Sequence, residues 1–156
     1  MRKYISTTLI QGEQVVLTPT IHNIVYAKPF VFFGIISCFL IMALCIDMGF
    51  SAWVTTEAFV LLISLIWFLF DQLYYAHVEM AVTNKRVVAK TGIISVHSDE
   101  LQWNKIESIE IRQGIVGRCL NYGDVYFSGT GTSYVRFGDV RNPWVVKSKA
   151  AEILSE

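Results

Sequence analysis

Charge is what the middle of this sequence lacks. From Pro29 to Ile46, eighteen consecutive residues carry none, and after Asp47 and Glu57 the same holds from Ala58 to Phe70. A helix rises about 1.5 Å per residue and the hydrocarbon layer of a bilayer is roughly 30 Å thick, so about twenty apolar residues are needed to cross it. The first run nearly meets that length alone. The second meets it if its helix starts near Phe50 to Trp53, which leaves Glu57 close to the headgroups, because a carboxylate deep in hydrocarbon is costly. Two such runs so close together predict a membrane hairpin. A cleaved secretory leader fits the first run poorly, since twenty-eight residues precede it and no small-x-small site with a polar continuation follows. Lys and Arg are missing from the loop between the runs, whereas Arg2, Lys3 and Lys28 precede the hairpin and Lys85, Arg86 and Lys90 follow it. By the positive-inside rule the loop faces out and both termini are cytoplasmic, which places the chain as integral to the cytoplasmic (inner) membrane. Trp53 at one boundary and Tyr74 with Tyr75 at the other suit interfacial anchors.

An excess of either sign is absent too. Thirteen Lys and Arg balance thirteen Asp and Glu, so there is no basic field for nucleic acid. The three cysteines, Cys38, Cys45 and Cys119, make neither a zinc set nor a disulfide framework and read as small buried apolar side chains. His22, His77 and His97 are dispersed, with no second ligand at helical spacing, so no metal or cofactor is implied. Asp99, Glu100, Glu107 and Glu110 read as solvated strand positions. Gly129-Thr-Gly-Thr lacks the following helix that would cradle a phosphate and reads as a hairpin turn. With no nucleophile beside a base and no paired carboxylates, the chain is not read as an enzyme.

What is present outside the hairpin is β-patterned. The tract Gln14 to His22 is rich in β-branched residues and predicts a strand that Pro19 interrupts or confines to an edge. After Tyr75 the period changes: Val78, Met80 and Val82 alternate with Glu79, Ala81 and Thr83, and Asn84-Lys85 turns the chain into Arg86 to Thr91. Ile94 to Leu101 predicts a third run after the membrane. Ile106, Ile109 and Ile111 point to burial in the next, with an irregularity at Ser108. Asp124 to Ser128 and Ser133 to Phe137 flank the glycine hairpin. Asn142-Pro143 reads as an N-cap and first helical residue of a helix to about Leu154, with Val146, Ala150, Ile153 and Leu154 as its apolar stripe. The sum is seven strands and a terminal helix, one strand lying before the hairpin.

Ala81-Val-Thr-Asn-Lys-Arg-Val87, Lys90-Thr-Gly-Ile-Ile94, Asn104-Lys-Ile-Glu-Ser108, Gly117-Arg-Cys-Leu-Asn-Tyr-Gly-Asp-Val125, Gly129-Thr-Gly131 and Asn142-Pro143 follow one another in an order that resembles the bacterial pleckstrin-homology-like (PH-like) domain of the DUF304 type. The resemblance covers roughly Val78 to Leu154, and the two-helix anchor is similar to that of small membrane members of the family. It implies two nearly orthogonal antiparallel sheets capped by a C-terminal helix, and it supplies no reaction.

The expectation is therefore an α+β membrane protein. Residues 1–28 form a cytoplasmic segment with the first strand, 29–75 a transmembrane helical hairpin, and 76–156 a cytoplasmic PH-like β domain, the whole making a seven-stranded antiparallel PH-like domain with a C-terminal helix. Its function is expected to be binding or assembly at the membrane, through a homo-oligomer or another membrane protein. Ile115, Val116, Leu120 and Tyr122, framed by Gly114, Gly117 and Gly123, are the expected protein contacts unless they cover the core. Lys85, Arg86 and Lys90 are the residues expected to meet anionic lipid headgroups if the domain reads lipid, a basic side chain near such a surface gaining about 1 kcal/mol. An accessory subunit of a transporter or envelope-stress system is the other alternative.

Overall fold

Two stretches far apart in sequence close into one β unit, Met1–His22 with His77–Glu156, while Asn23–Ala76 forms a separate helical unit. The computed structural model describes residues 3–43, 50–93 and 95–155. In chain order the elements are a short helix α1 (Lys3–Thr8), strand β1 (Val15–Leu17), a 3-10 turn (Asn23–Ala27) and helices α2 (Lys28–Ala43) and α3 (Phe50–Ala76). Strands β2 (Glu79–Thr83), β3 (Arg86–Thr91), β4 (His97–Gln102) and β5 (Ile106–Arg112) follow, then helix α4 (Ile115–Cys119), β6 (Tyr122–Gly129), β7 (Tyr134–Arg141) and α5 (Pro143–Ser155).

In the helical unit, Asn23–Ile41 and Trp53–Ala76 have mean hydropathies of 2.1 and 2.0 and are long and apolar enough to cross a membrane. They pair through aromatic rings, Tyr26 with Tyr75, Phe30 with Phe68 and Phe33 with Trp67, at centroid distances of 5.7, 5.0 and 5.7 Å. The Ser37 hydroxyl donates to the Glu57 carboxylate at 2.9 Å. Of the small residues on α2, Ser37 thus meets the neighbouring helix, but Gly34 has nothing within 4 Å of where a Cβ would stand and is exposed. The cysteine expectation is also corrected: Cys38 and Cys119 are exposed thiols, each on a helix surface, and Cys45 lies outside the described residues.

The β unit is built from a four-stranded sheet, β1-β2-β3-β4, and a three-stranded sheet, β5-β6-β7, all antiparallel. Val15 pairs with Thr83 and Leu17 with Val82, so the helical unit is an insertion between the first and second strands of the β unit. Pro19, which has no amide hydrogen, ends that pairing. Beyond it Ile21 bridges Val140 of β7, while Arg141 N donates to Thr20 O and His22 N to Asp139 O, both at 2.9 Å. One short segment therefore stitches both sheets together.

Between the sheets, Met80, Val82, Val87, Leu101, Val125, Phe127, Val135, Phe137 and Val140 form the core, closed by Val146 and Ala150 of α5. Phe127 and Phe137 meet at 5.1 Å, and Trp103 packs edge-on against Phe127 while its Nε1 donates to Thr83 O at 2.9 Å. Ile106, Ile109 and Ile111 pack on this core as expected, with the register shifting between Ile106 and Ser108. Four expectations need correction. β2 alternates in sequence like a half-buried strand, yet Glu79, Ala81 and Thr83 are buried as well, because the N-terminal segment covers its outer face. β4 starts at His97, and Ile94 lies outside the described residues. Leu154 is exposed, so the buried stripe of α5 is Val146, Ala150 and the half-buried Ile153. Asn142 has φ of 51° and engages Asn121 rather than capping with its side chain, although Pro143 does open the helix.

Candidate interaction surfaces

The turn between β2 and β3 carries two of the three cations expected to face lipid, and each of the three is engaged within the chain. Arg86 has a side chain only 12% exposed; its Nε donates to Glu13 Oε1 at 3.0 Å, its Nη2 to Thr8 O at 2.6 Å, and its Nη1 to Glu100. Glu13, whose side chain is fully buried, also accepts from Thr83 Oγ1 and from the Ile10 amide, both at 2.8 Å. Burial alone would raise the Glu13 carboxyl, but the Ile10 amide, the guanidinium and the hydroxyl outweigh it and hold the carboxyl below its ordinary value. Burial would lower Arg86, and Glu13 and Glu100 reverse that to raise it. Lys85 Nζ donates to Gln11 O at 2.8 Å. Lys90 Nζ lies 4.0 Å from Glu79 and 4.9 Å from the centre of the Tyr4 ring. Lys90 pairs near the start of β2 and Arg86 near its end, about 13 Å apart along the strand, so the three do not gather into one patch. Glu79 in turn accepts from the Tyr4 and Ile5 amides at the start of α1, at 3.1 and 3.2 Å. These groups fasten the N-terminal segment over the four-stranded sheet. Glu13 is the residue that sequence reasoning missed: its partner Arg86 lies seventy-three residues away, and no local pattern marks it.

The four residues expected to contact protein are brought together at one end of the three-stranded sheet. Ile115 is 85% exposed, Val116 and Leu120 are exposed, and Tyr122 is half-buried at the start of β6. They therefore do not serve as a lid on the core. Gly117 anchors the short helix that carries them: a Cβ there would stand 2.7 Å from Tyr122 O, so only glycine lets α4 lie this close to the chain beneath it. Gln113 Nε2 clasps the same turn, donating to Tyr122 O at 2.9 Å and Gly117 O at 3.3 Å. Asn121, with φ of 56°, accepts from the Asn142 amide at 2.9 Å through its carbonyl and donates to Asn142 Oδ1 at 2.6 Å. That pair sets α4 beside the start of α5, where Trp144 is 59% exposed and Val145 exposed.

A third surface is the outer face of β5, β6 and β7. The Tyr126 ring has the Arg112 guanidinium at 4.6 Å and that of Arg136 at 5.7 Å. Arg136 Nη2 pairs with Asp124 Oδ2 at 2.8 Å while Asp124 Oδ1 accepts from the Asp139 amide at 2.9 Å, which pins a bulge where two residues of β7 oppose one of β6. Beside this platform lies a shallow hollow of about 310 Å³, lined by Glu110, Tyr126, Ser128, Thr132 and Tyr134. Among the described residues no group of three or more His, Cys, Asp or Glu could hold a metal ion.

A model of the bacterial PH domain family matches residues 30–156. The chain belongs to the bacterial PH domain family. The match takes in α2 and α3 together with β2 to α5, so within this PH family member the apolar helices are part of the matched region and not an addition to it. No curated protein and no solved structure matches the chain. Two antiparallel sheets of four and three strands with a C-terminal helix are the arrangement that a PH-like fold calls for.

Proposed function

We propose that this PH-family protein is a membrane-anchored binding and assembly module. In this reading α2 and α3 cross the bilayer as a hairpin, both termini lie in the cytoplasm, and the β unit meets a second copy of the chain or another membrane protein. One observation carries the anchoring: α2 and α3 leave many large apolar side chains exposed, among them Phe30, Val31, Ile35, Phe39, Phe59, Leu61, Leu65 and Phe70. A pair of helices that leaves this many large apolar side chains exposed needs an apolar solvent. The binding half is supported by the family, whose fold suggests a binding or assembly module, and by the Arg112, Tyr126 and Arg136 platform, since Tyr and Arg dominate the energetics of protein interfaces.

The test is the mass of the full-length chain after gentle detergent extraction from its native membrane, with co-eluting proteins identified. A discrete homo-oligomer or larger complex is expected, and Tyr126→Ala combined with Arg112→Glu should shift it toward the single chain. A single chain with nothing bound would overturn the assembly reading.

A further inference from the structure

Exposed apolar side chains lie at the end of the β unit from which His22 leads into the helical unit. His22 is the last residue of the β unit before Asn23 opens the first apolar stretch, and His77 follows directly on Ala76, which closes the second. A residue spans at most about 3.6 Å, so the backbone around His22 and His77 stays within a few residues' reach of those stretches. The His22 ring stacks on Tyr122 with centroids 5.2 Å apart and planes at 21°. Through Tyr122 and the Asn121–Asn142 pair, α4 and the start of α5 lie on the same side of the β unit as His22. Exposed there are Ile115, Val116, Leu120, Trp144 and Val145. Their cationic neighbours are Arg118, Arg141 and Lys147, and residues 114–123 and 141–149 contain no acid, although Lys149 pairs with Glu152 at 2.7 Å. The β2–β3 turn at Asn84 and Lys85 lies at the other end of β2, five residues and about 16 Å from its start. The β6–β7 turn exposes Thr130, Thr132 and Ser133 beside Tyr134, and Ile10 is exposed near Asn84 and Lys85.

We propose that the end formed by α4 and the start of α5 is seated in the headgroup layer of an anionic bilayer, with Ile115, Val116, Leu120 and Trp144 dipping below it and Arg118, Arg141 and Lys147 meeting lipid phosphates. This rests on the reading of α2 and α3 as membrane spans. The occupant follows from three features together: covalent proximity to the spans, an apolar set that includes the indole favoured at membrane interfaces, and the cations Arg118, Arg141 and Lys147, which complement anionic lipid. It assigns lipid to the end opposite the turn that carries Lys85 and Arg86, whose cations serve the fold.

The full-length chain is to be reconstituted in vesicles of phosphatidylethanolamine and phosphatidylglycerol, with Cys38, Cys45 and Cys119 replaced by Ser. A nitroxide is placed singly at Val116→Cys, Thr132→Cys, Phe39→Cys or Leu62→Cys, and its collisions with oxygen and with a water-soluble nickel chelate are measured. The expected result is that the label at 116 meets oxygen several-fold more, and nickel several-fold less, than the label at 132. A label at 116 that behaves as the one at 132 overturns the proposal, and one shielded from both reagents overturns it in favour of a protein occupant. The labels at 39 and 62 separate the two failures. If they sit in lipid while 116 does not, only this proposal falls; if they too are open to nickel, the membrane reading fails with it.

Discussion

At the scale of single residues, the most consequential side chain is a glutamate with no motif around it. Glu13 is held below its ordinary value of 4.5, while an unfolded chain would return it there. A carboxylate with a depressed folded value stabilises the fold fully above its unfolded value and loses that contribution as pH falls through the folded one. The β unit is therefore expected to weaken on acidification below about pH 4.5. Glu13→Gln should cost roughly 3 kcal/mol near neutrality, because it leaves the buried guanidinium short of a charge, and should flatten the acid limb; denaturant melts across pH check both. If the acid limbs of the wild type and the Glu13→Gln variant superimpose, the ion pair is not the source. Replacing both partners, Glu13→Leu with Arg86→Met, should lose much less than either single change, which a double-mutant cycle measures. None of this was legible in the sequence. Arg86 sits next to a turn and reads as a solvated cation, and nothing near Glu13 announces that residues 8 to 13 fold back over β2 and β3.

At the scale of elements, alternation was informative wherever one face of a strand meets solvent, and uninformative where a distant segment covers the other face. In β5 the half-buried Ile106, Ile109 and Ile111 and the break at Ser108 correspond to an observed register shift. In β2 the same alternation misled, because α1 docks on Glu79 and Glu13 on Thr83. The placement of α4 was half legible: the glycines framed it, but core cover and exposed surface give the same apolar letters, and only the fold distinguishes them. The geometry at Gly117 makes a prediction for this element. Gly117→Ala places a methyl group 2.7 Å from a backbone carbonyl that cannot swing aside, so α4 must lift, at an expected cost of about 1–3 kcal/mol. Amide exchange should accelerate over α4 and the start of β6 while the Phe127–Phe137 core keeps its protection. Uniform loss of protection would mean that α4 is integral to the core after all.

For the whole molecule, the decisive feature is that the chain lays down one strand of the β unit, runs through fifty-four apolar-rich residues, Asn23–Ala76, and returns to build the other six. The sequence made this conditional: a β-rich tract stood before the hairpin, but nothing in it said which strand it would meet. Pairing of Val15 with Thr83 and bridging of Ile21 to Val140 supply the answer. Without residues 1–22, β2 would become an edge strand with an uncovered outer face, and Arg86 would lose Glu13 and Thr8. An unpaired, apolar edge strand invites association with other chains. Residues 77–156 alone are therefore expected to aggregate, whereas residues 1–22 joined to 77–156 by a flexible Gly-Ser linker in place of Asn23–Ala76 should give a soluble unit that melts cooperatively in near-ultraviolet circular dichroism. A fragment 77–156 that folds as stably as the joined unit would show the first strand to be dispensable. Should it instead fail while the joined unit succeeds, assembly of the β unit must wait until the helical insertion has been made and its far end returns, and the family's apolar helices and its β fold are then a single folding problem.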